Sequence, residues 1–294
     1  MKLTKERQGE AFIFIEASLW ALFPILTIIS YNKVSPLISL GISTIFATVF
    51  FAIVLTVKKK WHEITNTSAF KDILLTTLFI GIFYYLLYFF GLQYTSAGNA
   101  SIITKIEIFF SYLLFNIWKK DNLPPKHIAG AVLMVIGALI VLYPNLHVFK
   151  LGDLLILAAA FFPPFGNFFA RRAREKVSSE TIMFYRSIIS SAVIFLLIFI
   201  FKNTFSYSDL KDSFIVLLII GVFLLGLSKI LWIEGIMRIS VVKANALGSI
   251  SPLLTLLFAW IFLRDIPTHW QLLSLIPIFF GIILLGMNGK ESTS

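Results

Sequence analysis

The sequence predicts an all-α integral membrane protein, with ten transmembrane helices arranged as two inverted five-helix repeats. Three observations lead to this fold class. The chain of 294 residues is 58% hydrophobic and only 14% charged, with a mean hydropathy of +0.90, whereas soluble domains carry about 25% charged residues. Its apolar residues fall into ten runs, most of them about 20 residues long, the length that crosses a bilayer as a helix. The two halves of the chain also align with each other at a constant spacing.

The ten apolar runs define the predicted spans. They are continuously apolar, whereas the strands of a membrane β-barrel would alternate over about ten residues. The segment before the first run, MKLTKER, resembles the start of a signal peptide, but the run is too long and no A-x-A cleavage site follows it. We therefore keep it as the first helix. The spans are 10–31, 36–57, 70–93, 98–117, 127–143, 152–171, 179–201, 212–237, 242–263 and 269–287.

The distribution of lysine and arginine predicts the orientation. If the N-terminus is cytoplasmic, 17 of the 25 basic residues lie in inside segments, five lie in outside segments and three lie within helices. Because basic residues favour the cytoplasmic side, we expect both termini in the cytoplasm and the chain in the plasma (inner) membrane. The net charge of +10 is then explained by this topology, and we expect no nucleic-acid partner. Cysteine is absent from the chain, so no disulfide framework is expected.

The two halves of the chain align at a shift of 143 or 144 residues. GEAFIFIEA (9–17) aligns with GDLLILAAA (152–160), and GLQYTSAGNA (91–100) aligns with GIMRISVVKA (235–244). The same register pairs Gly137 with Gly281. Because five helices is an odd number, the second copy must be inverted relative to the first, and we predict repeats at 1–148 and 149–294. In transporters with inverted repeats, the substrate site lies near the membrane midplane, and the protein opens it alternately to the two sides of the membrane.

Several motifs carry a resemblance to a known family. They are the two sets of five helices, Trp20 in the first helix, NFFARRAREKVS (167–178) closing the sixth, and GLQYTSAGNAS with GIMRISVVKAN before the fourth and ninth. Together they resemble the EamA-type branch of the drug/metabolite transporter superfamily over nearly the whole chain. The resemblance implies a central cavity surrounded by helices one, three, four, six, eight and nine. It also implies substrates such as amino acids, nucleobases, sugars or nucleotide sugars.

One position departs from that family, whose helices four and nine usually carry a proline in their first third. Helix nine keeps this residue as Pro252, whereas helix four has Ile108, preceded by Lys105 and Glu107. Lys105 and Glu107 cannot simply pair with each other, because two residues on a helix subtend about 200°. Each must turn to another helix, to water or to a ligand.

Six charged residues lie within the predicted spans, three of each sign. Ionised groups at this depth cost about 2.5–3.5 kcal/mol each on insertion scales, so each needs a partner. Two interpretations remain open: the charges form interhelical salt bridges, or some of them contact a substrate or a coupling proton. The residues are Glu16, Glu107, Glu234, Lys105, Arg186 and Lys229.

Other candidate residues lie on the helices that the resemblance assigns to the cavity, where Pro24 and Pro163-Pro164 favour breaks. For the aromatic residues, packing or an interfacial belt is the competing interpretation. Arg186, beside three serines, is expected to be structural, because helix seven lines the cavity less often in the family. The candidate substrate-binding or coupling residues are Glu16, Trp20, Tyr84, Tyr88, Lys105, Glu107, Asn167, Lys229, Trp232, Asn245 and Ser249.

Enzyme signatures are missing from the sequence. The four histidines lack metal-binding spacing, and neither GxSxG nor a Walker A loop occurs. We therefore expect no enzyme, no metal and no cofactor, but a secondary transporter (exporter, exchanger or facilitator) of small polar or zwitterionic metabolites such as amino acids. Its expected partners are the small-molecule substrate, the lipid bilayer and, as a candidate coupling ion, the proton. The alternatives are a membrane-embedded lipid flippase or enzyme, and a scaffold or sensor that transports nothing.

Overall fold

The computed structural model describes residues 4–119, 125–145, 150–239 and 241–286, and within these ranges it is helical without a β-strand. Each predicted apolar run corresponds to one helix or, for 242–263, to two. The helices are α1 Lys5–Ser30, α2 Pro36–Val57, α3 Thr67–Leu92, α4 97–119, α5 Pro125–Leu142, α6 Leu151–Arg174, α7 Ser179–Ile200, α8 Tyr207–Ile236, α9 Val241–Gly248, α10 Ser251–Leu263 and α11 His269–Gly286.

Seven helices in the described ranges are long and apolar enough to cross a membrane, namely α1, α2, α3, α5, α6, α7 and α8. Two shorter apolar helices, Ser251–Leu263 and His269–Leu285, accompany them. The helix at 97–119 is divided into three pieces. The chain is therefore a multi-pass membrane protein, and its described residues form helices without a β-strand.

Several helices are irregular at positions that recur in the two sequence halves. α3 and α8 contain π-helical stretches, Thr77–Tyr84 and Ile219–Leu227, which begin at nearly equivalent positions of the repeat. α4 contains a 3-10 turn, Thr104–Ile106, and the equivalent region of the second half is the break between α9 and α10. π-helical insertions and broken helices often occur at functional sites.

The chain forms two compact units, each built from both sequence halves. Unit 1 comprises Met1–Ile25, Ser96–Lys150 and Ser228–Ser294, and so contains α4, α5, α9, α10 and α11 with most of α1 and the end of α8. Unit 2 comprises Leu26–Thr95 and Leu151–Leu227, and so contains α2, α3, α6 and α7 with the first part of α8.

In unit 1, α5 and α11 approach closely through glycines. A Cβ atom added at Gly281 would lie 2.9 Å from the carbonyl oxygen of Gly130, and one added at Gly137 would lie 2.4 Å from Cγ1 of Ile278. Small residues let helix backbones come together within a membrane, where packing drives helix association.

Replacing Gly281 by alanine or valine is expected to lower the melting temperature of the purified protein, because the added atoms push α5 and α11 apart. Overpacking of this kind costs about 1–3 kcal/mol. Gly248→Ala is the control, since its added Cβ would meet only Trp232, at 3.8 Å. If both Gly281 variants melt at the parental temperature, the close contact is not required for stability.

In unit 2, acidic side chains join two segments, one from the end of α2 to the start of α3 and one from the end of α6 to the start of α7. Asp72 is 3% exposed and pairs with Lys176 at 3.2 Å and with Arg172 at 3.5 Å. Glu180 forms ion pairs with Lys60, at 3.1 Å, and with Lys58. These basic residues belong to the segments that the charge distribution assigns to the cytoplasm.

Glu63 connects the same two segments through hydrogen bonds. Its Oε2 atom accepts bonds from the backbone N–H and the hydroxyl of Ser178, at 2.7 and 2.6 Å, and from the hydroxyl of Thr181 at 2.7 Å. Burial alone would raise the pKa of Glu63, but these hydrogen bonds and the charge of Lys60 bring it below its ordinary value. The ionised form of Glu63 therefore stabilises this junction.

Candidate functional site

Four charged side chains of unit 1 form an electrostatically coupled cluster. Glu16 comes from α1, Lys105 and Glu107 from α4, and Lys229 from α8. Glu16 interacts with Lys229 and Lys105. Glu107 interacts with Lys105, with Lys229 and, unfavourably, with the like charge of Glu16. Two positive and two negative groups balance, and such balance makes buried charge tolerable in a membrane protein.

The four charged residues are buried to different degrees. Glu16 is 7% exposed, whereas Lys105, Glu107 and Lys229 are partly exposed. Burial nevertheless dominates the electrostatics of Lys105 and Glu107, because protein atoms surround them. Lys105 and Glu107 are therefore largely surrounded by protein, although neither side chain is fully enclosed.

The 3-10 turn in α4 changes the relative direction of Lys105 and Glu107. A 3-10 helix turns about 120° per residue, compared with about 100° in an α-helix. Two residues that are two positions apart therefore point about 120° apart in a 3-10 helix, compared with about 160° in an α-helix. Lys105 lies within the turn Thr104–Ile106, and Glu107 follows it directly. The turn brings the two charges closer to one side of α4 than the sequence alone indicated.

Lys105 reaches the broken end of α9. Its Nζ atom donates a hydrogen bond to the carbonyl oxygen of Gly248, at 3.4 Å. Gly248 is the last residue of α9, where carbonyl groups lack helical partners and the helix dipole is negative, so a cation is favoured there. Ser249 follows directly in the break before α10 and is half-buried. Lys105 thus has a partner on another helix, one of the alternatives expected from its position.

Two tryptophans border the cluster. The Nζ atom of Lys229 lies 3.4 Å from the ring centroid of Trp20, a cation–π contact. Trp20 stacks on Phe23 with centroids 4.6 Å apart and an interplanar angle of 11°. Trp232 follows Lys229 by one helical turn and lies beside Gly248. The apolar ring faces of the two tryptophans therefore lie next to the charged side chains of the cluster.

The candidate residues divide between the two units. Tyr84 and Tyr88 belong to unit 2, are 5% and 3% exposed, and have ring centroids 5.6 Å apart. Asn167 is exposed on α6. Asn245 belongs to α9, and its side chain lies outside the part of the chain that the structure describes. Seven candidates are in unit 1 around the charge cluster: Glu16, Trp20, Lys105, Glu107, Lys229, Trp232 and Ser249.

A polar network in unit 1 was not singled out from the sequence. The side-chain amide of Gln271, 5% exposed on α11, donates to Asn99 Oδ1 at 2.7 Å and to Ser96 Oγ at 3.3 Å, both at the start of α4. Thr255 on α10 donates to the carbonyl oxygen of Ala21 on α1, at 3.1 Å. The sequence signal that could have indicated this network is the location of Asn99 within the motif GLQYTSAGNAS. These bonds hold the helices that carry the cluster.

Comparison with known proteins identifies relatives of the chain. A model of the "EamA-like transporter family" matches residues 7–143 and 150–287. A Methanothermobacter thermautotrophicus protein described as an uncharacterized transporter is 30% identical over 225 residues, covering 74% of this chain and 65% of that protein. A similarly described Synechocystis protein is 21% identical, covering 77% of this chain and 66% of that protein. The chain thus spans just under two thirds of the length of these relatives.

Two further matches concern a shorter region and the fold. An Escherichia coli protein described as a "Probable amino-acid metabolite efflux pump" is 32% identical over 90 residues, 30% of each chain. One crystal structure superposes with a TM-score of 0.69 and 16% identity, covering 95% of this chain and 96% of that one. At this identity the likeness shows the fold alone.

Proposed function

Because the chain belongs to the EamA-like transporter family, we propose that it is a secondary transporter of small zwitterionic metabolites, with amino acids as the first class. Membership of this family places the chain among transporters and outside the enzymes. The observation that carries the substrate class is the cluster of two cations and two carboxylates in unit 1, partly accessible and bordered by Trp20 and Trp232.

A zwitterion matches this cluster in both charge and chemistry. Its carboxylate is attracted to Lys105 or Lys229, and its ammonium group to Glu16 or Glu107. The molecule adds no net charge, so the balance of the site is kept when it enters. The tryptophans supply apolar contact for a side chain and cation–π contact for the ammonium group. The description of the Escherichia coli relative also favours amino acids.

The proposed mechanism is alternating access between two inverted repeats, 1–148 and 149–294, with ten membrane crossings in total. The recurrence of the π-helical stretches in α3 and α8, and of the breaks in α4 and before α10, supports repeats of this register. In such transporters broken helices lie at the substrate site near the membrane midplane. Glu16 and Glu107 are the candidate groups for coupling to a proton, because both are carboxylates of the site.

We propose that the protein lies in the plasma (inner) membrane and that both of its termini face the cytoplasm. Cysteine labelling tests this in the Cys-free chain. Ser68→Cys, in the first turn of α3, is expected to react with an impermeant maleimide only after cells are permeabilised. Asn32→Cys, between α1 and α2, is expected to react in intact cells. Both residues are exposed, so the reverse labelling pattern would invert the proposed topology.

Solute counterflow in liposomes tests the substrate class. Purified protein is reconstituted, the vesicles are loaded with one unlabelled compound, and uptake of the labelled compound is followed for panels of amino acids, nucleobases and sugars. We expect uptake for amino acids with a small or apolar side chain. Counterflow of neutral sugars without counterflow of amino acids would reject the proposal.

A further inference from the structure

Arg186 lies outside the charge cluster described above, in the interior of unit 2. It is on α7, about 5 Å along the axis from the helix centre at a rise of about 1.5 Å per residue. Its side chain is 7% exposed. Among the residues that the structure describes, its guanidinium group makes no hydrogen bond and no ion pair, and its electrostatic neighbour is Tyr85 on α3. Its five N–H donors therefore have no acceptor among the described residues, although part of the side chain remains accessible.

Neighbouring hydroxyl groups are also unsatisfied. Ser190 lies one turn beyond Arg186 on the same face of α7 and is 1% exposed. In the described part of the chain its Oγ atom has no hydrogen-bond partner, and the same is true of Ser191 Oγ. Arg186 and Ser190 thus lie on one face of α7 without a hydrogen-bond partner among the described residues, although buried polar groups are nearly always hydrogen-bonded.

Gly81 on α3 gives this face its shape. A Cβ atom at Gly81 would lie 2.2 Å from Ser190 Oγ and 3.1 Å from Arg186 Cγ. The α3 backbone can therefore cover the stem of Arg186 only because residue 81 is glycine. Gly81 also lies within the π-helical stretch Thr77–Tyr84, a type of irregularity that often accompanies functional sites.

The carboxylates of unit 2 are engaged elsewhere, and none of them pairs with Arg186. Each binds a basic residue, a hydroxyl group or a backbone N–H, apart from Glu175, which is exposed. The engaged residues are Glu63, Asp72, Asp153, Glu180, Asp209 and Asp212. A positive charge at this depth is stabilised by an anion, and the described residues of unit 2 do not supply one.

We propose that Arg186 and Ser190 bind a small monovalent anion, either chloride or the carboxylate of a small molecule. A guanidinium group binds a carboxylate through two parallel hydrogen bonds, or a halide through one edge, and the Ser190 hydroxyl donates a further bond. The close approach of α3 at Gly81 limits the site to small anions. This site is separate from the proposed zwitterion site in unit 1, and it replaces the purely structural role expected for Arg186 from the sequence.

Thermal stability in different anions tests the site without any transport assay. The purified protein is melted in sodium gluconate, and chloride or acetate is then exchanged for gluconate at constant ionic strength. A ligand that binds the folded state raises the melting temperature saturably. We expect this rise with chloride, acetate or both. A rise with chloride alone identifies a halide site, a rise with acetate alone identifies a carboxylate site, and a rise with both indicates that one site takes either anion.

Variants then locate the effect. Arg186→Gln is expected to weaken anion binding at least tenfold, whereas Arg174→Gln, at an exposed arginine of α6, keeps the parental titration. Should Arg186→Gln fail to fold, Ser190→Ala retains the charge and is expected to weaken binding several-fold. A parental protein whose melting temperature responds to neither anion would overturn the proposal, and so would an Arg186→Gln protein that responds like the parent.

Discussion

Replacing Glu107 by glutamine is expected to lower amino-acid transport at least tenfold while the protein still folds. Glutamine keeps the shape and polarity of the side chain but removes its charge, so the ammonium group of a substrate loses a partner. A tenfold loss corresponds to about 1.4 kcal/mol of transition-state free energy. Replacing Lys105 by methionine is expected to have a similar effect, because methionine keeps most of the apolar stem. Transport rate, purified yield and melting temperature are measured for both variants.

The double variant Lys105→Met/Glu107→Gln separates a functional from a structural role. A structural ion pair predicts that each single variant is destabilised by about 3–5 kcal/mol, because its partner is stranded, and that the neutral double variant recovers both stability and transport. Our account predicts that the double variant is well folded but does not transport. The control is Lys243→Met, at a basic residue of unit 1 that pairs with Glu10 outside the cluster. Well-folded single variants that transport at the parental rate would remove both residues from the mechanism.

The second large effect is expected at Lys229. Lys229→Gln should lower transport at least tenfold, since it removes one of the two cations of the cluster and the cation–π contact with Trp20. Trp20→Phe retains an aromatic face with weaker cation–π attraction, so we expect a several-fold rise in KM with a smaller change in kcat. Parental KM and kcat in both variants would show that this contact is only a packing feature.

The helices could be predicted from the sequence, because apolar runs of membrane length admit few structures other than helices. The run 36–57 coincides with α2, and most other helix boundaries differ from the runs by a few residues. Larger differences occur where polar residues extend a helix beyond its apolar run. α8 begins at Tyr207 and not at 212, because Ser206 and Asp209 form a capping box at its N-terminus.

The charged part of the candidate site could also be found from the sequence, because charge within an apolar run is costly and therefore conspicuous. Its geometry could not. Hydrophobicity carries no signal for the 3-10 turn that contains Lys105 or for the π-helical stretch around Gly81, because both lie inside the apolar runs. The surroundings of Arg186 could not be predicted either, because only the structure shows which residues of α3 cover it and that no described residue pairs with it.

The central claim is that the site of unit 1 recognises a zwitterion. Counterflow in the presence of analogues that lack one of the two charges tests it most directly. The vesicles take up a labelled amino acid, and the competing solutes are the same amino acid, its amide, which lacks the carboxylate, and the corresponding acid, which lacks the ammonium group. The account predicts that the intact amino acid competes at least tenfold better than either analogue, and that Glu107→Gln removes most of its advantage over the acid. Equal competition by all three solutes in the parental protein would contradict it.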